Sequence, residues 1–460
     1  MAKHHWLGAT LALALAAPAF AQDIQTKQYD DGSVYEGTFV NGMQQGQGTY
    51  RMPSGFEYSG QWEQGRIQGD GTARYPNGSV YVGPFVDGRP QGQGKITFAD
   101  GSTYEGEWQA GERTGQGTAT YAEGTVYVGS VTNGQPDGPG RIESPDGYVY
   151  DGNWEAGQKS GEGEITYPGG SIYRGTLAAG VPSGTGTLTT PEGMTFEGTW
   201  TEGRIEGEGK LTQPGGDTYE GSFVDGMRQG QGLATYANGD VYDGLFVQDL
   251  REGKGTLTRP DGYRYEGDWH GGRMEGEGTV TYPDGSVYAG SFVGGQPQGR
   301  GTLTYADGGS YEGEWAGGVM EGRGRMVQAD GTAYEGSFSE GRYHGTGTLT
   351  RPDGYRYEGE WSEGERNGTG TATYADGTTY VGSFANGQRE GQGELTRPDG
   401  YHYTGGWKAG QFDGQGTLTY ATGDRYEGGF ANNLPSGEGT MTYSSGQTVS
   451  GTWENGTLAQ

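Results

Sequence analysis

Cysteine is absent from this 460-residue chain. That excludes a disulfide framework, a thiolate metal site and a cysteine nucleophile. Histidine is scarce, at five residues. Positive charge is also short: 30 Lys and Arg stand against 59 Asp and Glu, a formal net charge of −29. Such a field repels nucleic acid and anionic lipid on average, so no nucleic-acid partner is expected. Hydrophobic residues are only 30% of the chain, too few for a thick two-layer core. No apolar run approaches the ~20 residues of a membrane-spanning helix, and no 3.6-residue period follows the N-terminal segment.

Glycine fills much of the gap, with 100 residues. Low hydrophobicity with high glycine would ordinarily indicate disorder. The 33 Tyr, 13 Phe and 10 Trp oppose that, and the glycines lack the period of three that marks collagen. A β-rich repeat fits both. The opening "MAKHHWLGATLALALAAPAFAQ" has a basic head at Lys3, an apolar stretch and an Ala-Phe-Ala end at 19–21. It reads as a bacterial secretory signal cleaved between Ala21 and Gln22, which predicts a periplasmic or secreted product. Its removal takes one Lys and no acid, for a net charge of −30.

The stretch "TRPDGYRYEGDW" (258–269) returns as "TRPDGYRYEGEW" (350–361), 92 residues later, and that interval is four copies of a 23-residue unit. With Tyr265 as anchor, the same position recurs from Tyr35 to Val449, nineteen times without insertion or deletion. A fixed period of this size signals an array whose units bury their faces against one another. Relative to the anchor, positions −3 and +2 are always Gly, as are +11 and +13 wherever the unit reaches them. Position +7 is Gly except at Asp249 and Asn433. Asn and Asp best tolerate left-handed backbone after Gly, so +7 is expected in a positive-φ loop. The Asp-Gly and Asn-Gly pairs ending at −3 are expected to form tight hairpin turns.

Between the turns lie two strand-like runs, such as "YEGEW" (104–108) and "GQGTATY" (115–121). Alternation along a strand puts Tyr104, Gly106 and Trp108 on one face and Glu105 and Glu107 on the other. A bare backbone allows an aromatic ring to lie flat across it, which gives Gly106, Gly115 and Gly117 a structural role, with a bulge as the alternative at +11; Gly111 and Gly124 are structural as the loop and turn glycines at +7 and −3. These residues resemble the MORN repeat (membrane occupation and recognition nexus): "YEGEWQAGERTGQGTATYAEG" (104–124) and "YEGEWSEGERNGTGTATYADG" (357–377) carry its Tyr-Glu-Gly-Glu-Trp run, loop Gly, Gly-x-Gly pair and late Asp-Gly. The resemblance implies an all-β fold, an elongated single-layer twisted antiparallel β-meander of about nineteen hairpin repeats. It spans residues 28–456, after a signal at 1–21 and a lead-in at 22–27 and before a short end at 457–460. Position +4 alternates Trp with Phe or a smaller apolar residue, and this phase slips once near 219–244, where duplicated repeat pairs would have joined out of step or a junction would lie.

Catalytic chemistry finds little footing. His270, His344 and His402 occupy different points of the repeat, so stacking cannot gather them around a metal. Gly-x-Gly precedes strand residues and lacks the helix that a phosphate-binding loop needs. Carboxylate pairs such as Glu105 with Glu107 face solvent, without a pocket to shift their pKa. Asp261, Asp284 and Asp353 read as turn residues. The expectation is a non-enzymatic chain with no cofactor and no metal. The aromatic face then offers the candidate contact surface: Tyr104, Trp108, Tyr265, Trp269, Tyr311, Trp315, Tyr357, Trp361, Tyr403 and Trp407. Its expected use is protein–protein interaction or self-association in the cell envelope. Phospholipid contact and stacking on cell-wall glycan are the alternatives.

Overall fold

Seven, two, nine and five residues make up the 23-residue period. In the repeat anchored at Tyr104, strand Thr103–Gln109 leads through a turn at 110–111 into strand Glu112–Thr120, and a loop at 121–125 leads to the next strand, Val126–Thr132. The computed structural model describes residues 23–459, where this scheme recurs and every regular element is a strand. The secretory signal expected at 1–21 lies outside the described residues.

The chain divides into two compact units, 1–207 and 208–460, with strand Arg204–Thr212 spanning the division. Within each unit consecutive strands pair antiparallel, so each is a meander. In the first, Glu112–Thr120 pairs with Thr103–Gln109 before it and Val126–Thr132 after it. In the second, Arg273–Thr281 pairs in the same way with Arg264–His270 and Val287–Val293.

The turns exchange the roles the sequence suggests. The two-residue hairpin turn is at +6 and +7, where both residues have positive φ, as at Ala110 (52°) and Gly111 (93°). Two left-handed residues match the strand twist in such a turn. Asp249 and Asn433 at +7 adopt φ of 69°, as expected of the residues that replace glycine there. The Asp-Gly at −3 instead closes a longer loop. Phe98 N–H donates to Ser102 C=O at 2.9 Å, Gly101 N–H donates to Phe98 C=O at 3.0 Å, and Asp100 Oδ1 accepts the Ser102 N–H at 2.9 Å. Glycine is required at 101 because φ is +88°.

The second strand is longer than the run beginning at Gly115 suggests. It starts at Glu112 and carries an irregularity at Gly115, where pairing with the preceding strand slips by two residues between Thr114 and Gly117. Pairing with the following strand stays regular across the same residues. The +11 glycine is therefore a bulge glycine, with φ of +64° at Gly115. The glycines at +2 and +13 act differently. A Cβ on Gly106 would lie 2.6 Å from Gly117 Cα and 2.7 Å from Tyr104 Oη, and one on Gly117 would run into the Tyr104 ring. Each anchor tyrosine thus covers a glycine of its own strand and a glycine of the strand it leads into.

The rings interlock along the array. Trp269 meets Tyr265 of its own repeat at 5.3 Å and 85°, and Tyr242 of the preceding repeat at 5.1 Å and 83°. Edge-to-face pairs of this kind add about 0.5–1.5 kcal/mol beyond the area they bury. The Tyr265 hydroxyl donates to Asp268 C=O at 2.7 Å, and Trp269 Nε1 donates to Gly255 C=O at 3.1 Å. One ring closes its own hairpin and the other joins it to the hairpin before.

Candidate interaction surface

The ten residues expected to present an aromatic contact surface are core residues. Tyr104, Tyr265, Tyr311, Tyr357 and Tyr403 are at most 1% exposed, and Trp108, Trp269, Trp315, Trp361 and Trp407 at most 7%. This corrects the sequence reading, and the reason is the cover supplied from +9. Burial raises the phenol pKa along the row, to about 12 at Tyr311 and Tyr357. At Tyr104 burial raises it while the Arg113 guanidinium opposes the rise.

The side chain at +9 follows the turn on the second strand and lies over the anchor ring. Arg113 Cζ sits 5.4 Å from the Tyr104 centroid and Arg251 4.8 Å from Tyr242, while Arg389 lies 5.5 Å from Tyr380 and 4.3 Å from Trp407 of the next repeat. Lys159 lies over Tyr148 and Tyr150, and burial lowers its pKa. Tyr343 stacks on Tyr334 at 3.8 Å and Phe412 on Tyr403 at 3.7 Å. Other repeats place proline or an aliphatic residue there, such as Pro136 or Met274. A cation over a ring contributes about 0.5–2 kcal/mol, more as it loses water. The surface above the rings is this row of covers. One signal in the sequence identifies it: +9 is never Asp or Glu in a chain with 59 acids.

The opposite face is polar and open. Lys95 pairs with Glu105 at 3.2 Å, Arg174 with Glu164 at 2.7 Å, and Lys254 with Asp268 at 2.7 Å. Exposed pairs like these contribute at most about 1 kcal/mol each. Arg300, Arg323 and Arg325 line a groove of about 770 Å³ on this face with Glu312, Glu314 and Glu335. Neighbouring repeats are tied at the turns, where Gln91 Oε1 accepts the Ala110 N–H at 2.9 Å and Glu275 Oε2 the Gly294 N–H at 2.8 Å.

The histidines stay apart. His270 contacts Glu252 at 2.8 Å and His402 contacts Glu394 at 2.6 Å, while His344 pairs across its hairpin with Ser337. Among the described residues no three His, Asp or Glu side chains gather as a metal-binding group. Of the five glycines singled out, Gly111, Gly115 and Gly124 hold positive φ, and Gly106 and Gly117 lie beneath Tyr104.

A model of the MORN repeat matches eighteen consecutive segments, from 35–56 through to 426–448. The chain belongs to the MORN-repeat family. Its MORN units form a repeat scaffold, each with the same ring-over-glycine frame. No curated protein matches the sequence. Solved structures that match include the TCP domain of Drosophila melanogaster SAS-4 in complex with a proline-rich motif of Ana2, at 15% identity and a TM-score of 0.23, covering 46% of this chain and 99% of that one. The Danio rerio CPAP TCP10 domain in complex with a STIL peptide matches at 15% identity and a TM-score of 0.17, covering 59% and 97%. Virginiamycin B lyase from Staphylococcus aureus matches at 11% identity and 0.11, covering 58% and 84%. At these scores the likenesses carry no argument about what the MORN array does.

Proposed function

We propose that this MORN array is a non-enzymatic, exported scaffold that binds protein partners, or further copies of itself, in the bacterial cell envelope. One observation carries the reading: an invariant frame displays variable side chains. The anchor ring and the glycines at +2, +11 and +13 recur throughout, while the exposed positions change from repeat to repeat. The exposed position +1 runs through Glu105, Val128, Asp151 and Arg174 in four successive repeats, and the half-buried or buried cover at +9 through Arg113, Pro136, Lys159 and Pro182. Constant packing with changing surface is how repeat scaffolds set partner choice.

Export rests on the N-terminal signal pattern, and with it the periplasmic or secreted location. Phospholipid contact has less support, because the chain carries a large excess of acid and its rings are turned inward. Glycan stacking would need exposed ring platforms, and the ten tyrosines and tryptophans that suggested it are buried.

The test is cross-linking of the tagged full chain in intact cells, followed by fractionation and identification of captured proteins. The expected result is a periplasmic or secreted chain that captures a specific protein or a second copy of itself. A cytoplasmic location would overturn the export reading. A monomer with no cross-linked neighbour would overturn the scaffold reading.

A further inference from the structure

In a complete repeat the first strand meets the second in two sets of pairs, one on each side of the bulge. Between Thr103–Gln109 and Glu112–Thr120, positions +5, +4 and +3 pair with +8, +9 and +10, and positions +2, +1, 0 and −1 pair with +13, +14, +15 and +16. Strand Thr448–Glu454 has the first set alone. Glu454 pairs with Thr457 and Trp453 with Leu458, and Thr452 C=O accepts the Ala459 N–H at 2.8 Å. Among the described residues nothing pairs with the outer side of Thr448, Val449, Ser450 and Gly451. The first unit carries the complementary half. Counted back from Tyr35, Gln25–Gln28 hold +13 to +16 of the unit before it. They are exposed, and they pair inward with Gly37, Glu36, Tyr35 and Val34. One edge lacks +13 to +16, and the other presents them. Between Ala459 at +10 and Gln25 at +13 lie the bulge positions, where pairing slips in a complete repeat too.

The side chains match as well as the register. Eighteen anchors carry a ring, and +13 is glycine in each of their units. The ring lies over that glycine, so a Cβ on Gly439 would run into Tyr426. Val449 is the one anchor without a ring, and Gln25 is the one +13 residue that is not glycine. The anchor that leaves room thus faces the residue that needs it. Val449 is half-buried, whereas every other anchor is at most 2% exposed. Among the described residues, the atoms within 4 Å of a Cβ on Gly451 are two from Leu458, a side chain 41% exposed. Lys27, at +15, turns along its own rings, with Nζ 5.0 Å from Tyr29 and 6.0 Å from Phe39.

We propose that copies of this chain join by strand addition: Gln25–Gln28 of one copy pairs antiparallel with 448–451 of another and completes that copy's last repeat in trans. Main-chain hydrogen bonds supply the attraction, and the match of Gln25 to Val449 fixes the register. The contact is heterologous, so each copy in a joint keeps one edge for a further copy. The inference deepens the self-association part of the scaffold reading and rests on it. A purified chain keeps the two separable: failure of the joint leaves proteins captured in cells unaffected, and a chain that captures nothing in cells can still form the joint.

The test exploits the absence of cysteine. Thr26 and Ser450 would face each other across the joint, so Thr26→Cys and Ser450→Cys are made singly in the full chain purified from expressing cells. Each is treated with a short bismaleimide, alone and mixed, at up to about 1 mM protein because so short a pairing binds weakly. About 0.5 M salt screens the repulsion between acidic copies. The mixture should give a two-chain product and neither variant alone should, while a chain carrying both cysteines should give a ladder. Val449→Tyr restores the ring that the other repeats carry and should lower the yield roughly tenfold by overpacking against Gln25. Gln25→Gly in the partner copy should restore it. A mixture without product, a product from one variant alone, or a yield indifferent to Val449→Tyr or to its Gln25→Gly rescue would each overturn the proposal.

Discussion

Gly267 and Gly278 face each other across one hairpin, and alanine should be refused at both for different reasons. The three atoms nearest a Cβ on Gly278 would all belong to the Tyr265 ring, at 2.5 Å for Cε2, 2.6 Å for Oη and 2.8 Å for Cζ. A Cβ on Gly267 would meet backbone first, at 2.5 Å from Gly278 Cα and 2.6 Å from the Glu277 carbonyl oxygen, with Tyr265 Oη at 2.6 Å. The ring has little room to retreat. It is fully buried, sits 5.3 Å from Trp269 and 5.2 Å from Phe292, and its hydroxyl is tied to Asp268 C=O. Overpacking costs about 1–3 kcal/mol, and a broken buried hydrogen bond about 1–3 more. Against these, replacing glycine by alanine gains about 0.4–1 kcal/mol through the unfolded chain. Each substitution should therefore cost about 2–4 kcal/mol. An array can open locally, so the assay is amide hydrogen exchange, compared between strands Arg264–His270 and Arg273–Thr281 and the distant strand Arg425–Ala431. Exchange in the first two should quicken roughly 30- to 700-fold and the distant strand should hold. A double-mutant cycle with Tyr265→Ala then separates the causes. Gly278→Ala should add almost nothing once the ring is gone, whereas Gly267→Ala should stay costly because its backbone conflicts remain. An effect of Gly278→Ala under about 0.5 kcal/mol, or one that persists in full without the Tyr265 ring, would refute the ring-over-glycine account.

Trp269→Phe keeps the edge-to-face ring but loses the indole bond to Gly255 C=O, and should cost about 1–2 kcal/mol, read as faster exchange at the junction of those two repeats. Asp249 holds φ at 69°, while its Oδ1 accepts from both Arg228 N–H and Arg228 Nε, each at 3.0 Å. Asp249→Ala keeps the unfavourable φ and loses those bonds, so a loss of about 1–3 kcal/mol is expected, and Asp249→Gly should recover part of it. Burial raises the phenol pKa of Tyr58 and Tyr81 from 10.0 to about 12. The unfolded chain ionises first as pH rises, so their contribution is complete below pH 10 and is lost progressively between about 10 and 12. Denaturation midpoints should fall across that window, and tyrosinate absorbance of the buried set should appear together with unfolding.

Much of this was legible in the primary structure because glycine has few reasons to recur. Its fixed return at +2 and +13 opposite a tyrosine reported the packing, and Asp249 and Asn433 reported a left-handed +7 by being what replaced glycine. The turns were harder. Asp-Gly suits the last positions of a three-residue turn as well as a two-residue one, and the short turn hides its first left-handed residue behind ordinary side chains such as Ala110 and Glu202. The buried state of the rings was not readable from their own strands. Their cover arrives from +9, a position outside the strand as read from Gly115, and it is brought over the ring by the turn and the bulge between Thr114 and Gly117. Alternation along one strand tells which way a ring points but not what lies above it.

Within each unit strands find their hydrogen-bonded partners among their near neighbours in the chain, as Glu112–Thr120 does with the strands before and after it. Ordering can therefore begin at any hairpin and spread outward in steps of one strand, because no segment waits for a remote one to arrive and loop closure never spans more than a turn. The loss of one hairpin should interrupt such a zipper without dissolving the stretches on either side. A polypeptide that emerges gradually, through a ribosome or a translocation pore, would be able to set itself in order as it appears.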